Sequence, residues 1–440
     1  MSEDYMPSDR MRYLLDQVAA FETQIDSANE KVVERMLGSQ PHLVDVRVAR
    51  EVIPELAGSR KTLLHAGPPI SWEDMCPPMK GSCIGAVLFE GWASDEQEAI
   101  ELLGSGEVRF MPNHEAHAVG PMSGLTSPSM PVLVVENRLD GTQAFCTINE
   151  GGGNVLRFGA YSQEVVDRLT WMAEVLGPIM SAALRSSTAG ININVLMAKA
   201  ITMGDDFHMR NAASSLVILK ELLELIVPLE WDREEKEAAI AFISAADQFF
   251  LNVVMATGKA IVDCARKVQE GCVVTTLCRN GHDFGIRVSG LGDQWFTAPV
   301  VEPNGLYFTG FSAEDANPDI GDSAICETIG VGGMAMVASP AVTRFLGAGD
   351  FAAALGYSTR QEKITIAHNP AWSIPTWDFR GTNTGIDLRK VIETGITPTI
   401  NTAISHKDAG HGMVGAGTAQ APLACFEQAF EAYCASLGIE

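Results

Sequence analysis

The period of the apolar residues changes twice along this chain, near residues 162 and 271, and that alternation restricts its possible folds more than any other feature. From 38 to 161 apolar residues come in short runs between Gly and Pro, in TLLHAGPP, GSCIGAVLFEGWA, VRFMP, PVLVVEN and TQAFCTINE, as strands joined by tight turns do. From 162 to 271 long helical patterns follow one another, among them VVDRLTWMAEVLGPIMSAAL, MRNAASSLVILKELLELIVPL and EEKEAAIAFISAADQFFLNVVMATGKAIVDCARKV. Strand signals return after 272 in CVVTTLCR, FGIRVSG, WFTAPVV, LYFTGF, KITIAH and PTINTAIS, and PLACFEQAFEAYCASL closes the chain as a helix. Two β-hairpins are predicted, one turning at Asp140-Gly141 and one at Asn280-Gly281. Ahead of all this, Met11, Leu14, Leu15, Val18, Phe21, Ile25, Val32, Val33 and Met36 recur at helical steps, predicting one helix over 9–37 with the role of a docking arm. The fold class is mixed, α+β or α/β: an N-terminal helical arm (1–37), a first α/β domain (38–161), a mainly helical domain (162–271) and a second α/β domain (272–440).

Charge and cysteine usage exclude several functions. With 31 Lys+Arg against 55 Asp+Glu the formal net charge is −24, so nucleic acid and anionic membrane are poor partners. No stretch reaches the ~18 apolar residues of a spanning helix, and the acidic N-terminus has no apolar leader core. Nine cysteines, an odd number without C-x-x-C pairs, fit reduced thiols and a cytoplasmic setting.

Eight polar, Gly-rich segments do not read as core: HAGPP (65–69), CPPMKG (76–81), NHEAH (113–117), NEGGG (149–153), MGDDFHMRN (203–211), RNG (279–281), and the stretches 315–322 and 400–417. Such loops can cradle an anion with backbone N–H groups. Lys80, Arg157, Arg210, Arg279, Arg287, Arg380, Arg389, Lys390 and Lys407 fall in or beside them, which points to small carboxylate or phosphate ligands. In 203–211, Asp205 or Asp206 is expected to cap a long helix and set His208, Arg210 and Asn211 in its first two turns. GHGMVG at 410–415 matches the dinucleotide fingerprint in letters but lacks the second strand and the acidic residue that must follow. The 315–322 stretch misplaces its Gly for a calcium loop. No segment offers three or four metal ligands at a recognised spacing, so neither metal nor cofactor is expected. Cys76 has no base identifiable beside it.

Taken together, HAGPPI, CPPMKG, HAVGPM, SPSMPV, NEGGGNVLRFG, MGDDFHMRN, RNGHDFGIRVSG, DANPDIGDSAICETIGVGG, DFRGTNTGIDLRKV and INTAISHKDAGHGMVGAG resemble the YlbE/YahG-type bacterial family that includes the AllG subunit of oxamate carbamoyltransferase. The resemblance covers about residues 28–435. It implies a subunit working with an FdrA-like and an AllH-like protein, in an oligomer, on carbamoyl phosphate and an oxamate-like amide. It assigns no catalytic residue. From the residues themselves, His114, His117 and His208 are the candidate bases, and Lys80, Arg210, Arg279, Arg287 and Lys407 the candidate anion holders. Glu150, Asp206, Asn211, Asn280, Asn401 and Gly415, from the same segments, complete the substrate-binding set. Two other readings stand beside this one: a non-catalytic scaffold subunit, and a stand-alone amidohydrolase using Cys76.

Overall fold

The computed structural model describes residues 5–440. Its N-terminal segment is two helices rather than one, Asp9–Val18 and Glu22–Leu37, separated by a 3-10 turn at Ala19–Phe21. The Ser8 hydroxyl caps the first by accepting from the Met11 N–H. The apolar stripe is present, and this chain covers it. Met11, Leu14, Val18 and Ile25 join a core with Ile392, Phe426 and Phe430, while Val32, Val33 and Met36 join the core beside the first sheet. The arm therefore docks on its own chain, and its apolar face is not a free surface.

The first sheet has the strand order Ala118–Val119, Thr142–Thr147, Pro131–Asn137, Pro41–Val48, Ile191–Asn192. The predicted hairpin lies within it, with Val134 opposite Phe145 and Gly141 turning at φ +77°. Ile191–Asn192, from inside the helical stretch, pairs with Pro41–Val48. Leu43, Val135, Cys146, Ile179, Leu222 and Val254 belong to one core, so the helices between 163 and 265 pack directly on this sheet. The helix Phe249–Ala265 crosses it and is buried along its whole length. A helix enclosed on every side should be apolar all round. This one carries Asn252, Thr257, Lys259 and Asp263 in the interior, which marks it for attention. Among the described residues no single helix is long and apolar enough to cross a membrane.

The second sheet runs Phe296–Pro299, Asp283–Val288, Val274–Asn280, Ile320–Gly321, all neighbours antiparallel, with the predicted second hairpin at its centre. The third has Met413–Gln420 between Asn304–Tyr307 and Thr399–Ser405. That central strand, like Arg380–Ile386 beside Thr365–Ile374, has no strand signal in the sequence because glycines stand where β-branched residues would be expected. A Cβ at Gly415 would lie 2.5 Å from the Leu306 carbonyl oxygen, so close strand approach excludes any side chain there. The GHGMVG segment thus enters a strand instead of opening a helix, and Gly415 serves sheet packing. Conversely, GSCIGAVLFEGWA, read among the strand-like runs, is mostly the helix Pro77–Phe89, with proline in its first turn.

A short parallel pair, Thr62–His65 with Arg109–Pro112, completes the scaffold. His65 is buried, with Nδ1 on the Ala66 carbonyl oxygen at 2.9 Å and Nε2 without a partner, and burial pushes its pKa down to about 4. An unfolded histidine titrates near 6.5. As pH falls from there through 4, the unfolded chain takes up a proton that the folded one refuses, and stability drops, by up to about 3 kcal/mol from this group. The thermal midpoint should fall less between pH 7 and 4 in His65→Gln than in the parent; equal slopes would remove His65 as the source.

Candidate functional site

The turn Asn113–Ala116 and His117 link the strand Arg109–Pro112 to the first sheet, with His117 held at φ +53°. This left-handed residue turns its ring outward, 62% exposed, onto a buried carboxylate: His117 Nδ1 lies 2.7 Å from Asp263 Oδ2. Asp263 and Lys259 stand one turn apart on the buried helix, and Lys259 Nζ donates to Asp263 Oδ1 at 2.7 Å and to the His114 carbonyl oxygen at 3.0 Å. Burial opposes ionisation of Asp263, but the Lys259 charge and the His117 hydrogen bond hold its carboxyl below the usual carboxylate range. Burial pushes Lys259 down to about 8, which leaves the pair ionised at neutral pH. An ionised Asp263 accepts from Nδ1–H, leaving His117 Nε2 as a free acceptor facing solvent. This is the arrangement of an oriented general base.

Beside this dyad lie two guanidinium groups. Arg287, from the second sheet, stacks over Trp295 at 5.2 Å and reaches Asp293. Arg266, just past the buried helix, donates to Asp293 Oδ1 at 2.6 Å and approaches Asp263 at 3.9 Å. The Asp293 side chain is 86% exposed, so an exposed carboxylate occupies a position between two arginines that another anion could take. Burial pushes Arg287 down to about 10, still charged at neutral pH.

Behind the dyad the interior remains polar. His114 is buried, and its Nε2 lies 3.6 Å from Asp322 Oδ1. Burial, then the charges of Lys259 and Arg287, lower the His114 pKa well below the histidine range. Asp322 accepts from Gly67 N at 2.8 Å, Asn113 Nδ2 at 2.9 Å and Gly120 N at 3.0 Å, yet burial still pushes it up to about 7.

The other sequence candidates divide by what they touch. His208, Asp206, Asn211 and Asn401 form a second cluster. His208 Nδ1 is 2.8 Å from Glu327 Oε1, which also accepts from Gly333 N and Asn401 N, and Asn401 Nδ2 donates to Asp206 Oδ2 at 2.7 Å. His208, Arg210 and Asn211 are not in the first turns of the helix as expected. The helix begins at Ala212, and Asp205 reaches forward from the preceding loop to accept from Ala213 N and Ser214 N. The protein's own carboxylate thus occupies the helix start proposed for a ligand. Asn211 Nδ2 turns back onto the His208 carbonyl oxygen at 3.4 Å, and Arg210, partly exposed, donates to the Gly204 carbonyl oxygen at 3.1 Å.

Arg279 is wholly buried and fully used, on both Asp319 oxygens at 2.8 and 3.1 Å, the Gly321 carbonyl and Thr402. It has no free donor edge for a substrate, so its role as anion holder is corrected to an internal ion pair. Asn280 Oδ1 accepts from His282 N and Asp283 N, shaping the hairpin turn. Glu150 accepts from Leu156 N and Arg157 N and closes its own loop. Lys80 donates to the Glu73 carbonyl oxygen beneath Trp72, and Lys407 to the Glu314 carbonyl oxygen; neither reaches the dyad's contacts. Cys76 is buried with Asn317 Nδ2 at 3.6 Å, and burial raises its thiol pKa, against the role of a thiolate nucleophile.

Lys259, Asp263, Arg266 and Asp293 were missed in the sequence. The available signal was a Lys and an Asp four residues apart inside an otherwise apolar helix. The roomier clefts lie elsewhere. One of about 680 Å³ runs between the N-terminal helices and Arg389, lined also by Arg12, Asp26 and Asp387, but its Arg389 is already paired with Asp26 and Asp387, and acidic side chains such as Asp16, Glu22 and Glu30 line the rest. Because breaking a buried pair strands a charge, Arg279→Ala should destabilise the fold by about 3–5 kcal/mol. Arg279→Met with Asp319→Leu should recover most of that loss; a stable Arg279→Ala in chemical denaturation would contradict the buried-pair role.

Comparison with known proteins agrees on one family. The family model described as oxamate carbamoyltransferase subunit AllG matches residues 108–323, a span containing His114, Asp263 and Asp322. Oxamate carbamoyltransferase subunit AllG of Escherichia coli (strain K12) is 54% identical over 417 residues, 95% of this chain and 99% of the relative. The uncharacterized protein YahG of the same strain is 42% identical over 416 residues, 94% of this chain and 87% of the relative. The crystal structure of a conserved protein of unknown function from Enterococcus faecalis V583 superposes with a TM-score of 0.91 at 44% identity, covering 94% of this chain and 98% of that one. Similarity of this extent, in sequence over nearly the full length and in fold, assigns the chain to the AllG family.

Proposed function

We propose that this chain is a subunit of a carbamoyltransferase, moving a carbamoyl group between phosphate and the nitrogen of an amide such as oxamate, together with an FdrA-like and an AllH-like subunit. The family assignment supports the reaction class. The observation that carries the reading within this chain is the His117–Asp263 dyad standing beside Arg266 and Arg287, whose shared partner is the exposed Asp293. In the forward chemistry the acceptor nitrogen attacks the carbonyl carbon of carbamoyl phosphate, and the carbon–oxygen bond to phosphate breaks with its electron pair going to the leaving phosphate. The nitrogen loses a proton, and His117 Nε2 is the acceptor oriented to take it. Arg266 and Arg287 hold the phosphate or the oxamate carboxylate by displacing Asp293, and no metal or covalent intermediate is required for these steps.

The test is carbamoyl transfer assayed with the three subunits reconstituted. His117→Ala and Asp263→Asn should each lower kcat, His117→Ala by about 10²–10⁴-fold as for loss of a general base. Asp293→Ser should tighten carbamoyl phosphate or oxamate by about tenfold, since a competing charge-assisted contact is removed. An unchanged rate in His117→Ala would take this histidine out of the reaction. A reconstituted complex inactive toward every carbamoyl acceptor would refute the reaction itself.

A further inference from the structure

His114, Cys278 and Asp322 come from three separate segments: the turn after Arg109–Pro112, the strand Val274–Asn280 and the bend beyond Ile320–Gly321. All three are buried, and their ligand atoms lie within 4.8 Å of one another. We propose that they hold a divalent transition metal ion of the zinc class, through the His114 ring, Cys278 Sγ and an Asp322 carboxylate oxygen. Expecting no metal from the sequence rested on spacing within single segments, and spacing cannot see a site assembled across three.

Several independent observations point to a ligand here. Both ring nitrogens of His114 are buried with no hydrogen-bond partner. A buried imidazole normally uses at least one, so the vacant donor capacity is a signal in itself. Its nearest acidic neighbour, Asp322 Oδ1, is 3.6 Å away, too far for a hydrogen bond yet within the roughly 3.3–3.8 Å that separates ligands around a tetrahedral ion with bonds of 2.0–2.3 Å. The donor set selects the metal: thiolate, imidazole and carboxylate suit zinc, whereas calcium and magnesium seek oxygen throughout.

Charge agrees as well. A thiolate and a carboxylate offset the two positive charges of the ion and leave a neutral core. Of the nearby cations, Arg279 is matched by Asp319, Lys259 by Asp263, and Arg287 reaches Asp293. The N–H groups of Gly67 and Gly120 and the amide of Asn113 fix the Asp322 carboxylate from behind, as supporting contacts do at metal centres. Uptake of the ion displaces the Cys278 thiol proton to solvent.

The test reads metal rather than activity, so its outcome is separate from the carbamoyl-transfer reading. Full-length chain produced in zinc-supplemented medium and desalted should carry about one zinc per chain by elemental analysis, as a three-residue site with high affinity would. Cys278→Ser and His114→Gln should fall below about a tenth of that, while Cys83→Ser, at a buried cysteine outside the cluster, should retain it. Cobalt-loaded parent protein should show a thiolate-to-cobalt charge-transfer band that Cys278→Ser lacks. Should the variants fail to fold, the parent spectrum still decides. Parent protein without stoichiometric zinc or without that band overturns the proposal, as does undiminished zinc in a folded Cys278→Ser.

Discussion

The placement of the site rests on one buried carboxylate. Asp322 gathers donors from two segments far from it in sequence: the backbone N–H of Gly67 from one, and the side-chain amide of Asn113 and the backbone N–H of Gly120 from the other. Its own N–H returns a bond to the Gly120 carbonyl oxygen at 3.1 Å. A carboxyl in a low-dielectric interior must satisfy its oxygens, and here that requirement pulls the end of the short parallel pair onto the second sheet. The approach is so close that a Cβ at Gly67 would come within 2.5 Å of the Arg279 backbone. Between Asn113 and Gly124 the chain then has little freedom left, and both His117 and Met122 adopt left-handed conformations that their side chains disfavour. The outward turn of His117 onto Asp263 is a consequence of where Asp322 fastens the chain on either side of it.

The same logic extends through the interior. Arg279 and Cys278 are neighbours on one strand and so point to opposite faces. Arg279 meets Asp319 and Thr402 on one side, while Cys278 faces His114 and Asp322 on the other. Thr402 is followed back along its strand by Asn401, which grips Asp206 and, through its N–H, Glu327. The two polar clusters are thus joined by adjacent residues of one strand. Only the cluster around Asp263 reaches the surface; the one around Glu327 holds His208 almost fully enclosed. Accessibility therefore separates His117, whose ring reaches solvent, from His208, which is enclosed against Glu327.

The sequence made the mixed fold legible wherever local rules dominate. Both hairpins follow from Asp-Gly and Asn-Gly turns, and the C-terminal helix Leu423–Ser436 from its apolar spacing. What escaped was decided by tertiary contact. Met413–Gln420 is a strand because its neighbours accept glycine at close range, and propensity counts glycine against a strand. His114 and His117 were recognised as candidates by type, but their partners Lys259 and Asp263 lie on a helix whose overall composition says core. Arg279 shows the converse error: a cation beside a glycine turn reads as a ligand holder until its partner Asp319, 40 residues on, is found across the sheet.

The exposure of the dyad bears on whether this chain can act alone. His117 and Asp293 both face water, where a charge pair at 4 Å gains only about 1 kcal/mol against roughly four at the effective dielectric of a partly shielded surface. Arg266 and Arg287 can hold a small anion firmly only if something excludes solvent from above them, because the wall behind is already built from Trp295 and the buried helix and leaves the outer side open. The N-terminal helices cannot supply that cover, since their apolar stripe is used against the C-terminal helix and the first core. On the proposed reading a partner subunit supplies that wall, which gives a site of this composition a physical reason to sit in a subunit.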